Sequence, residues 1–408
     1  MHSRSEVVVT GLGVVTPAGL NVDQSWTCLL RGEQRVSALE INQGPWPRSY
    51  PAGQIRDFAP PDGFGDVDRS VQFGLTAARE ALSQAGLVDT DEHLHRAGCV
   101  FSLSKPAPAH FARLYQFYKH TGSLEGKDAI SATWPNTCCG RIADRYGLTG
   151  PRLCLPAACA TGAHAVIRAV GLILDGRADC VLAGAAEASL TSLYLAAFAR
   201  MGVLASDCNH PERACRPFDR RRTGLVPGEG AAALVLESAV AARRRGAKPL
   251  ARITGYWQGM HALDLLQLEP DGHSLAVGIN QGLFRSGLEP ESLDYICAHG
   301  TGTIANDASE TAAIKAALGP AARKLSISSH KGAMGHLLAA AGAAQLVFTV
   351  RGIQHDLVPP TVNLEDPDPA CDLDYTPGGP RQRRIRHALC IAAGFGGQCG
   401  IVVLSKPH

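Results

Sequence analysis

The sequence has no C-x-x-C pair among its 13 cysteines, and Cys138 and Cys139 are adjacent, so no zinc-finger spacing is present. An odd thiol count in a chain of 408 residues with no apolar leader also argues against a secreted disulfide scaffold. The thiols are expected to be reduced and the setting cytoplasmic. Charge excess is missing too: 39 Lys and Arg against 37 Asp and Glu leave a formal +2. That balance gives no whole-molecule field for nucleic acid or a membrane surface, and the Arg-rich pieces at 220–222, 243–245 and 381–386 read as solvated faces. The longest strongly apolar segment, 337–350, is too short to span a bilayer and contains Gln345. The glycines after the first apolar run lack the full G-x-G-x-x-G spacing, so no dinucleotide site is expected.

What is there is a chain with 45% hydrophobic residues, enough for one large or two medium domains. Buried-type strands are expected at 6–17, 98–103, 178–184, 231–237, 251–255, 293–298, 324–328, 387–391 and 401–404. Helical spacing appears at 23–31, 68–85, 135–146, 238–246, 275–286, 307–318 and 337–352. Alternation of the two predicts an α/β protein. Residues 104–130 read as an irregular, pocket-shaping excursion. The Gly/Pro-bounded point at Lys248-Pro249 divides the chain into 1–248 and 249–408, two halves of similar grammar that suggest an internal duplication.

Four motifs carry chemistry. An apolar run from Leu153 ends at Cys159, and an Ala-rich helical segment follows at once. This puts a thiol at a strand-to-helix turn, where free N–H groups and the helix dipole favour thiolate. A small buried hydrophobe is the other reading of such a cysteine. His299-Gly300-Thr301-Gly302-Thr303 sets an imidazole at a strand tip beside glycines that admit a ligand, with Asp307 and Glu310 on one face of the next helix. Lys331 and His336 share a Gly-rich loop, and the nearby cation disfavours imidazolium, leaving His336 a neutral N–H donor. Last, Gly394-Phe395-Gly396-Gly397 offers backbone N–H groups for an oxyanion and one bulky gate.

The order Cys, His, Lys, His, closed by Gly-Phe-Gly-Gly, resembles the β-ketoacyl-acyl carrier protein synthases, the elongating ketosynthases of type II fatty acid and polyketide systems. The likeness extends over 9–17, Arg216-Pro217-Phe218-Asp219 and Gly228-Glu229-Gly230. It implies an α/β thiolase fold: a five-layer α-β-α-β-α sandwich of two duplicated βαβαβαββ halves, usually dimeric through an edge strand near the nucleophile. It further implies that Cys159 carries the acyl group, that the Cys159 and Phe395 amides bind the oxyanion, and that His299 and His336 bond the extender carbonyl. Lys331 would be held by Asp307 or Glu310. Thr301 and Thr303 would contact the phosphopantetheine arm of an acyl carrier protein, and Trp134 and Phe198 the acyl chain. No cofactor of its own is implied. The implied partners are the carrier protein and a second ketosynthase-like subunit, identical or different.

Several positions depart from the family pattern. Gln345 stands where elongating synthases generally have Glu, Cys297 replaces an Asn, Cys390-Ile391 a Ser/Asn pair, and Gln398-Cys399 the usual Thr-Asn. The first of these positions are associated with a structural cation, so no metal is expected. Residues 101–106 replace a Gly-rich segment of the acyl pocket, and Trp134 fills a position that is often small. Both point to short or unusual acyl groups. Two other readings stay open: acyl transfer or cyclisation of a tethered chain without decarboxylation, and a chain-length-factor-like subunit that shapes another synthase's tunnel. Possession of Cys159 speaks against the second. A plain thiolase is disfavoured, since no Cys lies within 394–397.

Overall fold

Nine consecutive buried residues, Val7–Val15, form β1, and the two halves of the molecule meet along its start. The computed structural model describes residues 6–41, 48–88, 94, 96–124, 126, 129–207 and 209–407. In chain order the first half holds β1, the hairpin β2 (Ser37–Ile41) and β3 (Arg48–Ala52), then β4 (Gly98–Leu103), β5 (Arg152–Leu153), β6 (Cys180–Glu187) and β7 (Gly230–Ser238). The second holds β8 (Ala251–Met260), β9 (Tyr295–Cys297), β10 (Ser326–Ser328), β11 (Leu357–Val358), β12 (Arg381–Gln382), β13 (His387–Gly394) and β14 (Gln398–Ser405).

Among the described residues ten strands form one large sheet in the order β10-β9-β13-β14-β8-β1-β7-β6-β4-β5, and β2-β3 and β11-β12 pair separately. Within the first half β4 is parallel to β5 and β6, while β6, β7 and β1 alternate. Position for position the second half does the same: β9 is parallel to β10 and β13, while β13, β14 and β8 alternate. The expected duplication is therefore present in topology. Between the halves, Val7, Val8 and Val9 oppose Ile253, Arg252 and Ala251.

Two helices, Thr161–Leu174 and Ala341–His355, fill the space between the two five-stranded units, and most of their residues are buried. They approach closely because glycine stands at the crossing on both sides. A Cβ on Gly162 would lie 2.5 Å from Ala343 N, and one on Gly342 2.8 Å from Ala163 N. Helices Arg69–Gln84 and Thr137–Tyr146 cover one outer face, and His273–Ser286 and Ile304–Leu318 the other. The result is the five-layer thiolase arrangement, each half built as βαβαβαββ.

Residues 104–130 are not simply irregular. Pro108–Thr121 is a helix, started by proline in its first turn and ended by Gly122 in the left-handed region. Phe111, Tyr115 and Tyr118 recur on it at helical spacing, but they face outward, and Pro108 is the one buried residue. Among the described residues no helix is long and apolar enough to cross a membrane, and the 12 described cysteines are free.

Candidate active site

The turn before the central helix Thr161–Leu174 is strained. Ala158 takes φ +47°, a left-handed conformation that disfavours a Cβ, and so presents Cys159 immediately before the helix. The Thr161 hydroxyl accepts from Ala157 N at 2.8 Å and donates to Ala158 O at 2.7 Å, which locks the turn. The late glycine turn lies against it: a Cβ on Gly394 would sit 2.8 Å from Cys159 N. Only glycine lets the end of β13, just before Phe395, come this near the Cys159 amide.

Burial pushes the Cys159 thiol up to about 11; the Lys105 and Lys331 cations pull it back and the Glu187 carboxylate adds to the rise. The thiolate expected from the helix start is thus not the resting form. Removing a charge from water outweighs the favourable field here, and Cys159 rests as a thiol at neutral pH.

His299 is fixed through its backbone. His299 N and Gly300 N donate to the Glu310 carboxylate at 2.6 and 2.8 Å, and Thr301 N and Gly302 N donate to Asp307 at 3.1 and 3.3 Å. Asp307 also accepts from Phe218 N at 2.7 Å. Burial raises both carboxyls, Glu310 to about 7, while these amides work against the rise. The Lys331 ammonium donates to the His299 carbonyl. The expectation that Asp307 or Glu310 holds Lys331 is therefore corrected: the carboxylates hold the 299–302 loop and Lys331 bonds the same loop at the His299 carbonyl. Burial pushes the Lys331 ammonium below its ordinary range, while Glu310 is near enough to favour its charge.

His336 lies on the far wall. Its Nδ1 accepts from Leu338 N at 3.2 Å, which places the ring proton on Nε2. The His299 and His336 rings stand 5.3 Å apart at 84°. Burial first, then Lys331, pushes both imidazoles well below the usual histidine range; His336 adds to the effect on His299, and Lys105 to that on His336. Both are neutral near pH 7, as read for His336 from the sequence. His299 Nδ1 is buried and has no hydrogen-bond partner among the described residues.

Cys159, His299, His336, Thr301, Thr303 and Phe395 line one cavity of about 280 Å3. A wider open cleft of about 820 Å3 beside Arg31, Arg35 and Arg56 contains no histidine. The two threonine hydroxyls are 2.9 Å apart, and Thr303 caps helix Ile304–Leu318. Neither acyl-chain candidate lines the cavity. Phe198 is buried against Cys159 and Leu338, and Trp134 is 53% exposed at the surface of this chain. Gln345 Nε2 donates to Ala298 O at 2.7 Å and Ile391 O at 3.0 Å, tying the end of β9 to β13. Among the described residues no group of three or more His, Cys, Asp or Glu is placed to hold a metal ion.

Three neighbours of Cys159 escaped the sequence reading. Glu187 ends the buried strand β6 and accepts from Ser104, Ser189, Lys105 and Ala339 N. A carboxylate closing an otherwise apolar strand was the available signal. Lys105 lies in the segment noted as unusual, and Leu338 adopts φ +48° beside the thiol with no mark in the sequence.

A thiolase-type fold with a thiol and two neutral imidazoles around one cavity, and a lysine bonded to the backbone of one of them, defines a condensing acyltransferase. Residues 4–242 match the family described as "Beta-ketoacyl synthase, N-terminal domain" and residues 250–365 match "Beta-ketoacyl synthase, C-terminal domain". The chain belongs to the β-ketoacyl synthase family. It is 35% identical to the tetracenomycin polyketide synthase ketoacyl synthase alpha subunit of Streptomyces glaucescens, over 100% of this chain and 98% of that one. It is 34% identical to the 3-oxoacyl-[acyl-carrier-protein] synthase 2 of Coxiella burnetii, over 99% of each. Among solved structures, a type II polyketide acyl-carrier protein in complex with its ketosynthase bound to the hexaketide superposes with TM-score 0.91 at 31% identity, covering 100% of both chains.

Proposed function

We propose that this chain catalyses decarboxylative condensation of a Cys159-bound acyl group with a malonyl thioester on an acyl carrier protein, in polyketide or fatty-acid-type synthesis. The convergence of Cys159, His299 and His336 on one cavity carries the reading. In the first half-reaction Cys159 Sγ attacks the acyl thioester, the carbonyl carbon changes sulfur, and the thiol proton goes to the departing pantetheine sulfur. One S–H replaces another, so a resting thiol suffices and no net base is consumed. The Cys159 and Phe395 amides would bind the tetrahedral oxyanion.

In the second, the malonyl arm lies along Thr301 and Thr303. Two neutral imidazole N–H groups bond its thioester oxygen; the C–C bond to the carboxylate breaks, CO2 leaves, and the electron pair becomes an enolate. Its carbon attacks the acyl-Cys159 carbonyl, the C–S bond breaks, and the Cys159 sulfur departs as thiolate and takes one proton from water to return to the resting thiol. Neutral rings suit this step, since a donor must hold the oxyanion without surrendering its proton. The reading needs no resident metal or cofactor: the pantetheine arm arrives with the carrier protein. A second ketosynthase-like subunit fits the relative named an alpha subunit, with β5 at the sheet edge as the pairing strand. Intact-protein mass after incubation with acyl thioesters tests the reading: one acyl adduct is expected, absent in Cys159→Ala. No adduct with any donor, together with tight co-purification with another synthase, would favour the partner-subunit role.

A further inference from the structure

Lys105 is a charged residue set against the aromatic ring that packs on the thiol. Its side chain is 19% exposed and its ammonium lies 3.2 Å from the Glu187 carboxylate, itself 1% exposed. It also donates to Ser104 Oγ at 2.7 Å. The rings of Tyr194 and Phe198 stand 5.5 and 5.9 Å from it, and Phe198 packs directly on Cys159 with Leu338. Thus Phe198 lies between Cys159, on which it packs, and the Lys105–Glu187 pair. The ammonium acts electrostatically on both Cys159 and His336.

An ammonium has three N–H donors. Here two are engaged, by Ser104 and Glu187; among the described residues no acceptor is shown for the third, and the nearest other groups are the rings of Tyr194 and Phe198. An alkyl chain pushed past Phe198 would cover this donor without satisfying it, which is costly. An acyl group with an oxygen a few bonds from its thioester would accept from it. Because Glu187 already neutralises the ammonium, a neutral carbonyl fits better than a second carboxylate, which would face Glu187.

We propose that Lys105 is a specificity-determining residue that bonds a keto oxygen on the acyl group carried by Cys159, so that short 3-oxoacyl groups are taken in preference to alkyl acyl groups of equal length. This rests on Cys159 being the acyl carrier. The test competes butanoyl and 3-oxobutanoyl pantetheine thioesters, equal in chain length and different in mass, for Cys159 in one tube, read by intact mass. Wild type should favour 3-oxobutanoyl by about tenfold, the factor given by a hydrogen bond of about 1.4 kcal/mol. In Lys105→Met the preference should fall to within about twofold, while Lys105→Arg keeps it. Lys105→Met strands a buried carboxylate, so the double variant Lys105→Met/Glu187→Gln is run beside it. The difference in intrinsic reactivity of the two thioesters cancels between wild type and variants. Equal labelling in wild type, or an undiminished ratio in both methionine variants, would overturn the proposal with Cys159 still an acyl carrier. No adduct from either donor, or from an acetyl donor, would overturn the reading of Cys159 itself and this proposal with it.

Discussion

Lys331 and His299 are joined through the main chain: the ammonium donates to the His299 carbonyl, while Glu310 accepts from the His299 amide. One imidazole is thus gripped from both ends of its own residue. Burial keeps His299 and His336 neutral, and the cation there adds to it.

Replacing Lys331 by Met should separate the two half-reactions. The His299 carbonyl loses its partner and the loop its anchor, so CO2 release from malonyl-acyl carrier protein should fall about 100- to 1,000-fold. Acylation of Cys159 should change only severalfold. The imidazole range should also rise, because the lowering cation is gone, so the acid limb of the pH–rate profile moves to higher pH. Equal loss in both half-reactions with an unmoved profile would make Lys331 merely structural.

Cys159 should react slowly with iodoacetamide at neutral pH and faster as pH rises. With the thiol at about 11, the thiolate fraction grows about tenfold per unit between pH 7 and 10. Peptide mapping follows the site. Lys105→Met and Lys331→Met each remove a cation that lowers this thiol, and should shift the curve further to alkaline pH.

The central helix crossing should not tolerate a side chain. Gly162→Val puts atoms where Ala343 N already lies 2.5 Å from a Cβ, and urea unfolding should show a loss of about 1–3 kcal/mol. Gly171, on the same helix, has its nearest neighbour in the flexible Arg168 tip at 3.5 Å. There Gly171→Ala should instead add about 0.5–1 kcal/mol.

Much of the fold was legible because most strands of the large sheet are buried apolar runs bounded by turn residues, the alternating β8 and short β5 apart, and several of the helices between them carry the 3.6 period. The helix Pro108–Thr121 was not, because its aromatic stripe points away from the core. Of the site, Cys159, His299, Lys331 and His336 could be named from their motifs, since each sits at an element end beside glycines. The partners of Lys331 could not: i, i+3 spacing puts Asp307 and Glu310 on one face but does not say whether that face meets an ammonium or a row of amides. Nor could the resting state of Cys159, since spacing shows the helix start and not the depth of burial that outweighs it.

Trp134→Ala should leave the stability of the chain within about 0.5 kcal/mol, because the ring is 53% exposed. Its effect should appear in assembly and in acyl-chain choice, measured by sedimentation and by competing long-chain against acetyl donors for Cys159. Wild type should prefer the acetyl donor. Equal labelling by both would contradict a short pocket.

The most direct test follows CO2 from malonyl-acyl carrier protein and the mass of the Cys159 adduct in the same samples of wild type and His299→Ala. The geometry predicts that His299→Ala still acquires the acyl adduct while CO2 release falls at least about 100-fold. CO2 release at the wild-type rate in His299→Ala, or a wild-type enzyme that is acylated yet releases no CO2, would contradict it.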